Sequence, residues 1–259
     1  MDDFFARGWI KFPAEASVAR WAEQALPVAS ATADDPTHAD WMRCDGTWFV
    51  GVHALPNDGR GAIAGGPPLD GAAMAFIRGD LGFPSIALER AQVSICYPGY
   101  PRPDAHESAQ AARYRVTRDS AHVDGLHAEG PDRRRFLREH HSFLLGVPLT
   151  ASDEHSSPLT VWEGSHRIMR DAFRRALGQV PTEQWPAIDL TEIYQDARRK
   201  AFDICPRVVV SAQPGEAYLV HRLALHGVAP WRDSSRTLPR IICYFRPEAG
   251  APRDWLDAP

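Results

Sequence analysis

The chain has 259 residues, with 29 Lys+Arg against 33 Asp+Glu and a formal net charge of -4; at about 150 residues per domain, this length fits one large domain with elaborations. Hydrophobic residues make up 44% and charged residues 24%, an ordinary globular balance that excludes disorder, collagen-like repeats and a small disulfide-stapled fold. Nor is there an electrostatic case for nucleic acid, because Arg is interleaved with Asp and Glu instead of gathering on one basic face.

Residues 14–26, AEASVARWAEQAL, set Val18, Trp21, Ala22, Ala25 and Leu26 at helical spacing behind Pro13, which predicts a first helix. A polar stretch, ASATADDPTHAD, leads to the strand-like TWFVGVHAL and then to NDGRGAIAGGPPLDG, a connecting loop. That loop lacks the Gly-Lys-Ser/Thr of a phosphate cradle. From residue 86 the chain turns to short apolar runs punctuated by turns: AQVSICY, ARYRVTRD, HHSFLLGVPLT, PLTVWEG, PRVVVSA, EAYLVHR and RIICYFR. Such spacing predicts strands of a sandwich or barrel. Helical patterns at 167–177 and 190–202 interrupt the series, and PDRRRFLRE reads as a solvated loop.

The four cysteines, Cys44, Cys96, Cys205 and Cys243, form no CxxC pair and read as free thiols in a reducing compartment. The N-terminal MDDFFARGWIKFPAE is too polar for a signal peptide, and no later apolar run approaches the length of a membrane span. The expectation is a cytoplasmic protein that acts on a small molecule, without nucleic acid or membrane; the sequence leaves the oligomeric state open.

Two positions read His-x-Asp: His38 with Asp40, and His122 with Asp124. On a strand, residues i and i+2 share a face, so such a pair can aim an imidazole nitrogen and a carboxylate oxygen at one point. One further His completes a 2-His-1-carboxylate facial triad with open positions, the arrangement of non-haem Fe(II) oxygenases. The first pair lies in a polar segment beside Asp34, Asp35 and Pro36 and reads as surface loop. The second closes the strand-like RYRVTRDSA, with further strands still to come. The third ligand should open a late strand. GEAYLVHRLALHGVAPW offers His221 and His226, and His226 is favoured because Gly227 would let the backbone pass close to a metal and a cosubstrate. A chelating keto acid also carries a far carboxylate, which an Arg fork would pair with bidentately. Arg232, Arg236 and Arg240 lie downstream; Arg240 opens RIICYF on the face of Ile242 and Tyr244, and Arg236 is nearer His226.

The stretches SAHVDGLH, SSPLTVWEGSHR and GEAYLVHRLALHGVAPW running into PRIICYFRP resemble the phytanoyl-CoA dioxygenase family of Fe(II)/2-oxoglutarate-dependent oxygenases, over roughly residues 90–247. The resemblance implies a mainly β fold with flanking helices and a double-stranded β-helix (jelly-roll, cupin-like) core. It divides the single domain into an N-terminal helical and loop elaboration (1–85), the core (86–247) with its helical insertion (167–202), and a tail (248–259). It also implies Fe(II), 2-oxoglutarate and O2 as cofactor and cosubstrates, His122, Asp124 and His226 as iron ligands, and Arg236 or Arg240 as the oxoglutarate residue. Glu163 stands where the family's hallmark turn carries Pro. Because Asp124 is retained, hydroxylation is implied over halogenation. The rival expectation is a cupin-like metal-dependent isomerase or a small-ligand-binding protein.

Overall fold

The computed structural model describes residues 2–233, 235 and 237–258. Its helices are α1 (Asp2–Arg7), α2 (Ala16–Asp34), α3 (Ala72–Gly79), α4 (Ala109–Arg118), α5 (Ser165–Leu177), α6 (Thr191–Ile204) and α7 (Pro252–Asp257). The strands are β1 (Trp9–Phe12), β2 (Met42–Arg43), β3 (Trp48–Gly51), β4 (Gln92–Cys96), β5 (Leu126–Glu129), β6 (Arg134–Leu137), β7 (Phe143–Pro148), β8 (Leu159–Trp162), β9 (Arg207–Val210), β10 (Ala217–His221), β11 (His226–Val228) and β12 (Arg240–Phe245).

A seven-stranded antiparallel sheet runs β1-β10-β7-β12-β4-β3-β2, and a three-stranded sheet runs β11-β8-β9. From β7 onward the chain crosses between them, with β7, β10 and β12 in the large sheet and β8, β9 and β11 in the small one. This winding makes the core a double-stranded β-helix, mainly β with flanking helices. A single backbone bridge from His122 to His226 adds the segment before β5 to the free edge of the small sheet.

The inner strands β10, β7 and β12 of the large sheet are buried on both faces, so they read as nearly unbroken apolar runs. In β12, Ile241, Cys243 and Phe245 join the cluster beneath α2 and α3, with Trp21, Met74 and Ile77. Ile242 and Tyr244 face the other way, into the cluster between the sheets with Leu144, Leu159 and Tyr218. Each fully buried Phe or Leu here contributes about 2–3 kcal/mol of hydrophobic stabilisation. A one-residue slip of β12 would exchange its two faces.

Three expectations need correction. The run ARYRVTRD is helix α4, although Tyr114 and Val116 alternate as in a strand. Ser108 caps it by accepting from the Ala111 N–H at 3.2 Å, Glu107 pairs with Arg115 at 2.7 Å, and Asp119 and Ser120, both left-handed (φ 53° and 54°), stop it. Within PDRRRFLRE lies β6, which forms a hairpin with β5 whose Leu126 and Leu137 pair as buried residues. The helix expected over 14–26 is α2, preceded by α1, and it extends to Asp34 because Ala29 and Thr32 continue its buried face. Among the described residues no helix is long and apolar enough to cross a membrane.

Candidate metal centre

After α4 ends, the segment 119–125 is tied down almost atom by atom. The Asp119 carbonyl accepts from the Val228 N–H at 2.9 Å, and its buried carboxylate accepts from Arg207 Nε at 2.5 Å. Tyr114 donates its hydroxyl to the Ala121 carbonyl at 2.7 Å, and the Val123 N–H donates to Tyr194 Oη at 3.3 Å. His122 and His226 exchange backbone hydrogen bonds of 2.8 and 3.1 Å. Gly227 makes this approach possible, since a Cβ there would stand 2.2 Å from the Asp119 carbonyl oxygen. It therefore serves the neighbouring backbone, where the sequence had suggested a close approach to metal. At the far end, a Cβ on Gly125 would meet the Glu139 carbonyl oxygen at 2.2 Å, in a backbone with φ +83°.

The segment and β11 together bring His122, Asp124 and His226 to one place, where one ligand atom from each lies within 4.8 Å of the others. His122 Nε2 is 3.2 Å from Asp124 Oδ1, and His226 Nε2 is 3.6 Å from Asp124 Oδ2. Each imidazole donates through Nδ1 to a backbone carbonyl at 2.9 Å, His122 to Ser120 and His226 to Ala224. A carbonyl oxygen can only accept, so each Nδ1 carries a proton and each Nε2 is turned toward the carboxylate. Orientation of this kind is the usual support for metal-binding histidines.

Two of the three groups, Asp124 and His226, are held in their metal-binding protonation states. Burial alone would raise the Asp124 carboxyl, but the Arg246 guanidinium and then the His226 and His122 imidazoles outweigh it and hold it well below the ordinary carboxylate range. Burial holds His226 below its ordinary value. For His122, burial is outweighed by the hydrogen bond and charge of Asp124, which raise it. The His122 side chain remains 48% exposed and opens to a cavity between the sheets, walled by Trp48, Val50, Leu144 and Leu159 and reached by Gln92 and Arg246.

Arg240 lies on the inner face of β12 and is 1% exposed. Its Nη2 reaches Cys96 Sγ at 3.5 Å, while Nε and Nη1 have no hydrogen-bond partner. The hydroxyl of Tyr100, a cavity-lining residue, is likewise buried and unpartnered. A fixed guanidinium with two idle nitrogens, deep between two sheets, is an anion receptor in chemical character. Arg236 lies outside the described residues, and Arg232 is exposed.

The other candidates are elsewhere. His38 donates through Nδ1 to the Thr32 carbonyl at 3.0 Å within a short 3-10 turn shared with Asp40, away from the triad. His221 sits at the end of β10, its ring 4.8 Å from that of His166. Glu163, in the departed turn, accepts from Arg7 Nε and Trp9 Nε1, both at 2.7 Å, and so ties the N-terminal strand to the small sheet. Trp162 packs on Phe202, and Trp48 borders the cavity. Sequence reasoning missed Arg246, Gln92 and Tyr194. Arg246 could have been found by extending the even-numbered face of β12 two residues past Tyr244.

No family model matches the chain, and no curated protein matches it in sequence. Among solved structures it is similar to EctD from S. alaskensis with bound Fe, at 15% identity and TM-score 0.48, covering 95% of this chain and 74% of that one. It is also similar to the non-heme alpha ketoglutarate dependent carbocyclase SnoK from nogalamycin biosynthesis, at 13% identity and TM-score 0.46, covering 94% and 81%. AviO1 from Streptomyces viridochromogenes Tue57 gives 13% identity and TM-score 0.42, covering 96% and 93%.

Proposed function

We propose that the protein is a single-domain Fe(II)- and 2-oxoglutarate-dependent dioxygenase of the phytanoyl-CoA dioxygenase type, hydroxylating an unactivated C–H bond of a small molecule. The observation that carries this reading is the convergence of His122 Nε2, Asp124 and His226 Nε2 with both Nδ1 protons spent on carbonyls. Two neutral nitrogens and one carboxylate on one side of a point suit Fe(II) with open positions. The bound iron would supply, with 2-oxoglutarate and O2, the oxidising power for C–H hydroxylation, releasing succinate and carbon dioxide.

The chain's own residues supply geometry. His122, Asp124 and His226 would hold the metal beside the cavity, and the carbonyls of Ser120 and Ala224 fix the two rings. Arg240 binds the far carboxylate of 2-oxoglutarate through its idle Nε and Nη1, and the Tyr100 hydroxyl lies in the same buried region. The apolar walls exclude water and hold the target carbon near the metal. No side chain is asked to transfer a proton in this scheme.

Equilibrium dialysis of Fe(II) and 2-oxoglutarate under anaerobic conditions tests the reading. It predicts one metal and one oxoglutarate per chain, with metal binding lost in Asp124→Ala and oxoglutarate binding weakened at least tenfold in Arg240→Met. Metal binding without any oxoglutarate binding would instead favour a metal-dependent isomerase or binding protein.

A further inference from the structure

Arg246 follows the last residue of β12 and points to the same side as Tyr244. Its Nη2 donates to Gln92 Oε1 at 2.6 Å, its backbone N–H donates to Glu89, and its carbonyl accepts from His141 Nδ1 at 2.8 Å. Both ends of the residue are therefore fixed before any ligand arrives. Nη1 stands 3.6 Å from Asp124 Oδ1, close enough for charge attraction and too long for a hydrogen bond. The side chain is 18% exposed and lines the cavity.

We infer that Arg246, braced by Gln92, recognises a carboxylate on the primary substrate and so directs the reaction to a carbon near that carboxylate. The inference rests on the oxygenase reading and deepens it. Arg240 and Arg246 lie six residues apart on one strand face, roughly 20 Å along the backbone, so one guanidinium cannot do the work of both. Arg246 is the one beside the metal-binding carboxylate. With the site loaded, the charges of Fe(II), Asp124, a doubly ionised oxoglutarate and Arg240 cancel, and Asp119 is matched by Arg207. Glu89 and Glu139 lie close enough to act on the charge of Arg246, but neither lines the cavity, so on the cavity side the positive charge is left for a ligand to match. A substrate anion offsets it. The opposite wall of Trp48, Val50, Leu144 and Leu159 fits an apolar body, so the substrate class is an apolar carboxylic acid.

The test uses the full chain loaded anaerobically with Fe(II) and 2-oxoglutarate, titrated calorimetrically with octanoate and phenylacetate and with their neutral amides. A charge-assisted pair predicts that each acid binds at least about tenfold more tightly than its amide. In Arg246→Gln, which can still hydrogen-bond Gln92, the preference should fall below twofold, and Arg246→Lys should keep part of it. The inference is overturned if the acids do not bind, if they bind no better than the amides, or if Arg246→Gln retains the preference. Failure of the oxygenase reading would show separately, as no oxoglutarate binding to the iron-loaded wild type; the same probes and criteria then apply to the metal-free protein.

Discussion

Replacing Gly227 with Ala adds one methyl group where the chain has no space for it. The new Cβ would lie 2.2 Å from the Asp119 carbonyl oxygen and 3.1 Å from Ala121 Cα, and both are backbone atoms that cannot rotate away. Ordinary van der Waals contact requires the 119–121 segment to retreat by more than about 1 Å. That retreat breaks the 2.9 Å bond from the Val228 N–H to Asp119 and strains the paired bonds between His122 and His226. Overpacking of this kind costs about 1–3 kcal/mol of stability, and displaced support around metal ligands typically costs about 10–100-fold in affinity. Urea unfolding and an anaerobic Fe(II) titration measure the two effects. A variant with wild-type stability and wild-type metal affinity would refute the claim that the bridge to β11 sets the position of His122 and Asp124.

Three further outcomes are expected. Arg240→Met removes an incompletely partnered buried cation, so the ligand-free protein should melt about 2–4 °C higher for each kcal/mol gained while oxoglutarate affinity falls; a lower melting temperature would show that Arg240 is satisfied without a ligand. Burial lowers the His166 imidazole from 6.5 to about 4, so the unfolded chain binds the extra proton and stability is full above about pH 6.5 and declines toward pH 4. The full loss is about 3 kcal/mol, and His166→Gln should flatten the decline in urea midpoints between pH 7.5 and 5; an unchanged slope would contradict a neutral His166 in the fold. Glu163→Ala removes the acceptor of Arg7 and Trp9, which should cost about 1–3 kcal/mol with Fe(II) affinity unchanged, as read by melting and metal titration.

Much of the core was legible because its strands are buried on both faces. FLLGVP is apolar throughout and RIICYF is apolar in every position after Arg240, and the helical insertion announced itself by a 3.6-residue period. The His122, Asp124 and His226 cluster was legible for a different reason: His-x-Asp and a later His-Gly are short patterns that the chain can place together only through a particular topology. What misled was alternation without burial. Tyr114 and Val116 alternate as in a strand, yet α4 buries no residue, and a cap at Ser108 with two left-handed residues at its end decides the segment. Local capping outweighed the period there. The strand β1 was invisible because four residues, WIKF, acquire their state only by pairing with β10. Arg246 was missed because its partners, Gln92 and Asp124, are distant in sequence and meet it only after the sheets form.

The central claim is that His122, Asp124 and His226 hold Fe(II) and that the chain then chelates 2-oxoglutarate. The most direct measurement is an anaerobic titration with Fe(II) followed by 2-oxoglutarate, watched in the visible range for the weak charge-transfer band of a chelated keto acid. A band that saturates at one equivalent is expected in the wild type, and none in Asp124→Ala or His226→Ala. Iron binding without a band in the wild type, or a band of full strength in either variant, would contradict it.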